Sequence, residues 1–413
     1  MHELQIESLA FGGEAVGHLD GKVVFVPFAA PGDRVRLRIL RETASFSRGE
    51  LLEVLRPGPG RRTPPCPYFG RCGGCQWQQL DYGHQLEHKQ AVWRGALAEL
   101  ASAAEATLDT VEAAPRELGY RRRVRMHWQH GAAGLQLGYQ RWRSRELLDV
   151  ARCPLLEEPL QHGVDACRRG LAGLAGGAGT VVALLGAGGV HVSLRVERGD
   201  PGWGRRLARR GIGEPVSGGL VQVGRQQAVS FGATSLELPG GLRGAAGAFV
   251  QASVEGEQAL RRRVLEWAGE AGQRAVELHA GIGTFTRELA RHARQVTAVE
   301  LSAGALALLR GNTAGLPVQI RAGDATGVAG ELAAAGERFE LAVLDPPREG
   351  CPGLSAALRG LEVQRIVYVS CDPMTLARDL REAREQGFRL RRVAALDLMP
   401  QTYHIESVAL LER

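Results

Sequence analysis

Glu277-Leu278-His279-Ala280-Gly281-Ile282-Gly283-Thr284-Phe285 decides the fold of the C-terminal part of this chain. Ala275-Val276-Glu277-Leu278 reads as a short buried strand. The two glycines let the backbone turn sharply and approach a ligand closely, and the residues after them open a helix. Glu300 ends the next strand, 19 residues beyond Gly281, where a carboxylate is placed to accept hydrogen bonds from ribose hydroxyls. Gly-x-Gly alone also describes a simple tight turn; the strand, the helix and the acidic residue together point to a nucleoside cofactor. Position 286 is threonine, so the third glycine of the dinucleotide fingerprint is missing. That favours S-adenosylmethionine, which has no pyrophosphate to cradle, over NAD.

Outward from this loop, strands and helices alternate. Strands are expected at 296–300, 318–323, 339–345 and 365–371, with helical stretches near 284–294, 302–312, 354–361 and 374–386 between them. This pattern predicts a parallel sheet covered on both faces, followed by two last strands at 390–398 and 404–411. Open α/β sheets bind ligands beyond the carboxyl ends of their strands. Asp345-Pro346-Pro347-Arg348 ends the fourth strand, and its prolines stiffen the loop that presents Asp345 and Arg348. Some amino-group methyltransferases carry an aromatic where Arg348 stands, which argues against exocyclic-amine chemistry. Ser370-Cys371-Asp372-Pro373 ends the fifth strand, with Asp372 as N-cap and Pro373 as first residue of the next helix. A lone cysteine is ordinarily an inert buried residue. At this sheet edge, beside a helix N-terminus that lowers a thiol pKa, Cys371 is expected to be a nucleophile, although Asp372 pulls the pKa the other way.

Such a thiol has a use in pyrimidine chemistry. Carbon 5 of uracil is too weak a nucleophile to attack a methylsulfonium, and thiolate addition at carbon 6 puts negative character on it. A base must then remove the carbon-5 proton. Pro400-Gln401-Thr402-Tyr403-His404-Ile405-Glu406-Ser407 offers one, with His404 and Glu406 expected on the same face of a strand. On spacing alone each is an ordinary strand residue.

The 413 residues suffice for two or three domains, and 44% hydrophobic and 23% charged residues exclude a disordered chain. No apolar run reaches bilayer length and no basic-then-apolar leader opens the sequence, so a soluble cytoplasmic protein is expected. No internal repeat is evident. Residues 1–56 read as five or so short strands, suiting a small oligonucleotide-binding (OB-like) barrel with Arg34, Arg36, Arg38, Arg41 and Arg48 on or near its outer surface. A Pro/Gly/Arg linker follows, then a helical stretch at 81–101 and mainly strands from 118 to 250. The expected layout is therefore multidomain: 1–56 barrel, 57–250 β-rich central domain with the cysteine segment, 251–413 Rossmann-like α/β domain. The net charge of +6 hints at a polyanionic partner, discounted because only two of the 51 basic residues are lysine. Clustering says more: Arg116, Arg121, Arg122, Arg123 and Arg125 lie together, and Arg141, Arg143 and Arg145 interleave with Trp142. Arginine with an aromatic grips phosphates and stacks on bases; a solvated face is the plainer reading.

Seven cysteines in a cytosolic chain point to metal or catalysis rather than disulfides. Cys66, Cys72 and Cys75 cluster among Pro, Gly and polar residues, and Cys153 is a distant fourth candidate. Four thiolates suit tetrahedral zinc or a cubane iron–sulfur cluster, and spacing does not decide between them.

Together these motifs resemble the RNA 5-methyluridine methyltransferase family over essentially the whole chain. Residues 1–55 look like its TRAM domain, an RNA-binding barrel. Pro65-Cys66 through Cys72-Gly73-Gly74-Cys75-Gln76, with Cys153-Pro154, is similar to its [4Fe-4S] signature, which implies iron rather than zinc. Tyr120-Arg121-Arg122-Arg123 matches the start of its central domain, and Phe249-Val250-Gln251 its Phe-x-Gln motif. Asp345-Pro346-Pro347-Arg348, Ser370-Cys371-Asp372-Pro373 and His404-Ile405-Glu406 match its catalytic motifs. The resemblance implies Cys371 as nucleophile and Glu406 as base. It places Gln251, His279, Glu300, Asp324 and Asp345 at cofactor-contacting positions, and Thr284 is counted with them. His279 stands where the family usually has an aromatic, and Ala252-Ser253 where an asparagine often follows the Phe-x-Gln motif. Members with both TRAM domain and cluster mostly modify large-subunit ribosomal RNA, which makes rRNA the expected partner and tRNA the alternative. No obligate protein partner is evident, and a monomer is the default. Three other readings compete: an RNA cytosine-5 methyltransferase, which needs a second catalytic cysteine that Cys351 fits poorly; a non-catalytic RNA-binding iron–sulfur protein; and an iron–sulfur electron carrier.

Overall fold

The computed structural model describes every residue except 133, 175 and 270–272. Its C-terminal half rests on an eight-stranded sheet in the order Val318–Ala322, Gln295–Glu300, Arg274–Leu278, Leu341–Leu344, Arg365–Ser370, Glu406–Glu412, Arg389–Leu396, Thr107–Glu112. The first five strands are parallel, and Glu406–Glu412 runs antiparallel to both its neighbours. The inner parallel strands are apolar along their length because both faces are covered. Successive residues enter different cores: Ala342 and Leu344 pack in one with Trp93 and Leu376, Leu341 and Val343 in the other with Leu260 and Val264. Period-2 side-chain alternation thus builds two cores from one strand.

The eighth strand comes from far back in the chain. The Tyr82–Ala104 helix buries Gln85, Lys89, Trp93, Leu97, Leu100 and Ala101 along one stripe, and Thr107–Glu112 then pairs with Arg389–Leu396. Asp109 fastens that edge through Arg392 and Arg263. The stretch 82–112 falls inside the expected central region 57–250, yet its hydrogen bonds belong to the C-terminal sheet.

The N-terminal barrel has six strands between His2 and Arg56, one more than the five or so expected. In Arg34–Glu42, Val35 and Leu37 face inward while Arg34, Arg36 and Arg38 face out. Those three arginines are paired with Glu3, Glu53 and Glu50, so this row presents little free charge. Between barrel and C-terminal sheet in the sequence comes a seven-stranded sheet running from Leu147–Asp149 through Gly134–Gln140 and Arg123–Gly131 to Val229–Gly232. The strand reading of 118–250 passed over two helices that pack on it, Glu158–Ala172 and Trp203–Arg210. The first carried a legible signal, a proline at its start and apolar residues at 160, 164, 167 and 171. Among the described residues no helix is long and apolar enough to cross a membrane.

Candidate active site

Parallel pairing brings the carboxyl ends of the strands bearing His279, Glu300, Asp345 and Cys371 to one edge of the sheet. Glu406–Glu412 runs the other way, so its first residue arrives at the same edge. Ser370 pairs with Ser407, and one step further along this antiparallel register sets Cys371 opposite Glu406. Directly opposed residues have Cβ atoms about 4.5–5.5 Å apart, so thiol and carboxyl are neighbours by construction. The same register corrects the expectation for His404. Residues 400–403 turn, with Gln401 at φ 71°, 404 and 405 are irregular, and the strand begins at Glu406. His404 stacks on Tyr403, with ring centroids 4.3 Å apart, instead of sharing a strand face with Glu406.

A cavity of about 680 Å³ opens at this edge. Gln251, His279, Thr284, Glu300, Asp345, Cys371 and Glu406 all line it, from separate segments of the chain. Asp324 does not; its carboxylate caps the Ala325–Ala334 helix through Gly327 N–H (2.9 Å), near enough to His279 to act on its charge. Glu300 accepts from Gly281 N–H (2.8 Å) and Ser302 N–H (2.7 Å), so besides facing the cavity it braces the glycine loop. Gly281 has φ 58°, and a Cβ there would meet nothing within 4 Å: the loop presents bare backbone to open space. Phe249 stands in the Phe-x-Gln motif, but sequence reasoning gave it no place in the site; its ring is 63% exposed and forms cavity wall beside Arg123. Tyr139 and Met399 also line it, and nothing local in the sequence marked them.

The charges here oppose the expected lowering of the thiol pKa. Burial, then the Glu406 and Asp345 carboxylates, push Cys371 up to about 12, with Arg348 acting against them. The helix N-terminus offers no help because Asp372 has claimed it, accepting from Met374 and Thr375 N–H. Burial and the nearby Asp345 hold Glu406 well above the usual carboxylate range, and burial lifts Asp345 to about 7. For Asp345 the folded value exceeds the ordinary 3.8, so folding favours the protonated acid and stability is lost as pH rises through about 7. Asp345→Asn should therefore raise stability at pH 8 by on the order of 3–4 kcal/mol, a gain that shrinks toward pH 5. Calorimetric melting across that range checks it, and a pH-independent difference would contradict the assignment.

One arginine ties the 345–348, 370–373 and 400–407 segments together. Arg348 donates to Tyr403 Oη (2.8 Å), lies over that ring, and reaches Asp372 (3.4 Å). Tyr403 in turn meets Phe11 of the barrel edge-on, and Gly13 must be glycine because a Cβ would strike Gln76 at 2.7 Å. The Tyr82–Ala104 helix grips the segment before Glu406 along its buried stripe. Tyr82 and Lys89 hold Asp397 (3.2 and 2.6 Å), Gln85 exchanges two hydrogen bonds with Gln401, and Trp93 donates to Ser407 Oγ (3.1 Å). Gln401 also accepts at its carbonyl from the backbone of Gln76 and Trp77, so the cysteine segment is pinned to the same loop.

Cys66, Cys72, Cys75 and Cys153 line a second, smaller cavity together with Tyr68, Gln78, Arg121 and Tyr139. All seven cysteines are free of disulfides. Burial pushes Cys72 up to about 11 and Cys75 to about 12. Among the described residues no group of three or more His, Cys, Asp or Glu is placed to hold a single metal ion. Cys351 lies elsewhere, bonded to Tyr368 Oη (3.2 Å) in the core.

With this geometry established, the relatives are informative. The TRAM domain family matches residues 2–52, the tRNA (Uracil-5-)-methyltransferase family residues 334–413, and a family described as Conserved hypothetical protein 95 residues 257–371. The 23S rRNA (uracil(1939)-C(5))-methyltransferase of Chromohalobacter salexigens is 34% identical, covering 99% of this chain and 89% of its own. Its namesake from Pseudomonas putida is 33% identical, covering 99% and 93%. The crystal structure of Pyrococcus abyssi tRNA (uracil-54, C5)-methyltransferase with S-adenosyl-L-homocysteine superposes with a TM-score of 0.76, 21% identity and coverage of 99% and 100%, a likeness of fold.

Proposed function

Since the chain belongs to the RNA uracil-5-methyltransferase family, we propose that it methylates carbon 5 of a specific uridine in 23S ribosomal RNA, with Cys371 as nucleophile and Glu406 as base. The observation that carries this reading is that Cys371 and Glu406 lie within electrostatic reach of each other on one cavity beside the glycine loop. Gln251, His279, Thr284, Glu300 and Asp345 would hold S-adenosylmethionine, with Asp324 flanking them at His279; the cavity fits, being within the roughly 300–1,000 Å³ of small-molecule sites and floored by bare glycine backbone. When bound, S-adenosylmethionine supplies an electrophilic methyl group.

Cys371 gives up its S–H proton to the neighbouring Asp345 carboxylate as Sγ adds to carbon 6 of the extruded uracil, and the displaced π electrons make an enolate that is nucleophilic at carbon 5. Once carbon 5 has been methylated, Glu406 takes its proton. The C–H pair re-forms the C5–C6 double bond and expels the Cys371 sulfur. A high pKa makes Glu406 a strong proton acceptor once ionised, and Asp345, titrating near 7, is the neighbouring group able to relay charge. Arg348 is the cation that faces the thiol among these carboxylates. Phe249 and Pro346-Pro347 give the base apolar walls.

Cys66, Cys72, Cys75 and Cys153 would hold a [4Fe-4S] cluster, which would cross-link the 66–75 segment to the loop at 153. Four thiols lining one small cavity suit a cluster in which each thiolate takes its own iron. The cytosine-5 reading lacks its second thiol, since Cys351 is outside the cavity. Ribosomal RNA is favoured over tRNA by the near full-length similarity to 23S rRNA enzymes. The test supplies unmodified 23S rRNA and tRNA transcripts with methyl-labelled S-adenosylmethionine. Labelled 5-methyluridine is expected in 23S rRNA; label in 5-methylcytidine, or in tRNA alone, would overturn the reading.

A further inference from the structure

Next to the active-site cavity, and sharing Arg125 and Tyr139 with it, lies a more open groove of about 550 Å³. Strands Arg123–Gly131 and Gly134–Gln140 form its floor, the turn at 141–145 one wall, and Gly73-Gly74 of the cysteine segment another. Arg125, His127, Arg141, Arg143 and Arg145 face it, with Trp142 among them.

Two of these charges are compensated: Arg141 by Glu146 (2.9 Å) and Arg143 by Glu14 (2.7 Å). Arg125 and Arg145 meet no carboxylate among the described residues, and Arg125 is near enough to Arg123 for the two cations to repel. This contrasts with the barrel row, where Arg34, Arg36 and Arg38 each have a glutamate. Cations left in mutual repulsion beside a cavity cost stability unless an anion arrives. Backbone bonds fix the walls, with Gly73 N–H to Gln140 C=O (3.0 Å) and Trp142 N–H to Arg71 C=O (2.9 Å) zipping the arginine turn to the cysteine segment.

We propose that this groove seats the single-stranded nucleotides flanking the target uridine, with Arg125 and Arg145 on their phosphates. Tyr139 and Trp142 interleave aromatic surface with the charges, the combination that tracks an unpaired strand without reading its sequence. The cysteine segment thereby forms part of the RNA path. The assignment rests on the RNA methyltransferase reading above.

The experiment compares wild type with Arg125→Gln/Arg145→Gln in filter binding of an unmodified 23S rRNA transcript over a range of KCl. The double variant is expected to bind on the order of ten-fold more weakly at moderate salt. Its log–log salt slope should be shallower by about 1.4, which is about 0.7 for each of the two phosphates no longer neutralised. Arg209→Gln, on the exposed face of the Trp203–Arg210 helix, should retain the wild-type slope. Should the double variant melt early, Arg145→Gln alone is read instead, because that exposed side chain pairs with no carboxylate among the described residues. Wild-type affinity and slope in the variants overturn the groove while leaving the methyltransferase reading intact. A wild-type protein that methylates no uridine in the transcript overturns that reading itself.

Discussion

Cys371→Ala should abolish methyl transfer, by on the order of 10⁴-fold or more, while leaving the fold and RNA affinity in place. The magnitude follows from chemistry: without a thiol at carbon 6 nothing raises electron density on carbon 5. Cys371→Ser should fare little better, since a hydroxyl in a site where burial and then the carboxylates already push a thiol up to about 12 is harder still to ionise. Glu406→Gln should behave differently. It retains the nucleophile but cannot take the carbon-5 proton, so protein cross-linked to RNA should accumulate and survive denaturing electrophoresis. RNA carrying 5-fluorouridine should trap wild type in the same way, because fluorine at carbon 5 cannot leave as a cation. Turnover by Cys371→Ala within a hundred-fold of wild type would rule out the covalent route.

The second large effect lies in the clamp beneath the catalytic segment. Lys89 and Asp397 are both fully buried and bonded at 2.6 Å. Lys89→Met strands a carboxylate that keeps only Tyr82 Oη and Met399 N–H, at an expected cost of about 3–5 kcal/mol. Lys89→Met/Asp397→Leu removes both charges and should recover most of that loss, since an apolar pair of similar volume is often as stable as a buried ion pair. Urea unfolding of the two variants gives the comparison. A single variant within about 1 kcal/mol of wild type would mean that water reaches the pair.

The glycine loop, Asp345 and Cys371 were legible because each ends a strand whose apolar run and following helix are local features. Glu406 was legible as a residue but its register was not, since the turn at Gln401 that delays the strand is held by Gln85, Arg62 and Trp77 from distant segments. The Thr107–Glu112 strand shows the same limit: local pattern can suggest a strand but not which sheet takes it. The arginine cluster at 116–125 was legible as a cluster but not in its division of labour: Arg122 is buried against Glu257 and Arg116 meets Glu255, while Arg121, Arg123 and Arg125 line the active-site cavity, with Arg121 reaching the cysteine cavity as well. The expected lowering of the thiol pKa is reversed because burial first, and then the Glu406, Asp345 and Asp372 carboxylates, outweigh one helix end.

The Lys89–Asp397 partners are 308 residues apart, and Trp93 waits still longer for Ser407. A ribosome extending the chain at about 5–20 residues per second exposes the Tyr82–Ala104 helix roughly 15–60 s before its counterpart emerges. Through that interval the helix can pack on the Thr107–Glu112 strand and the growing sheet, but Lys89 has no carboxylate to meet in its buried position. The 397–407 segment therefore acts as a late latch: until it has emerged, Glu406 and the helix that braces its segment cannot meet.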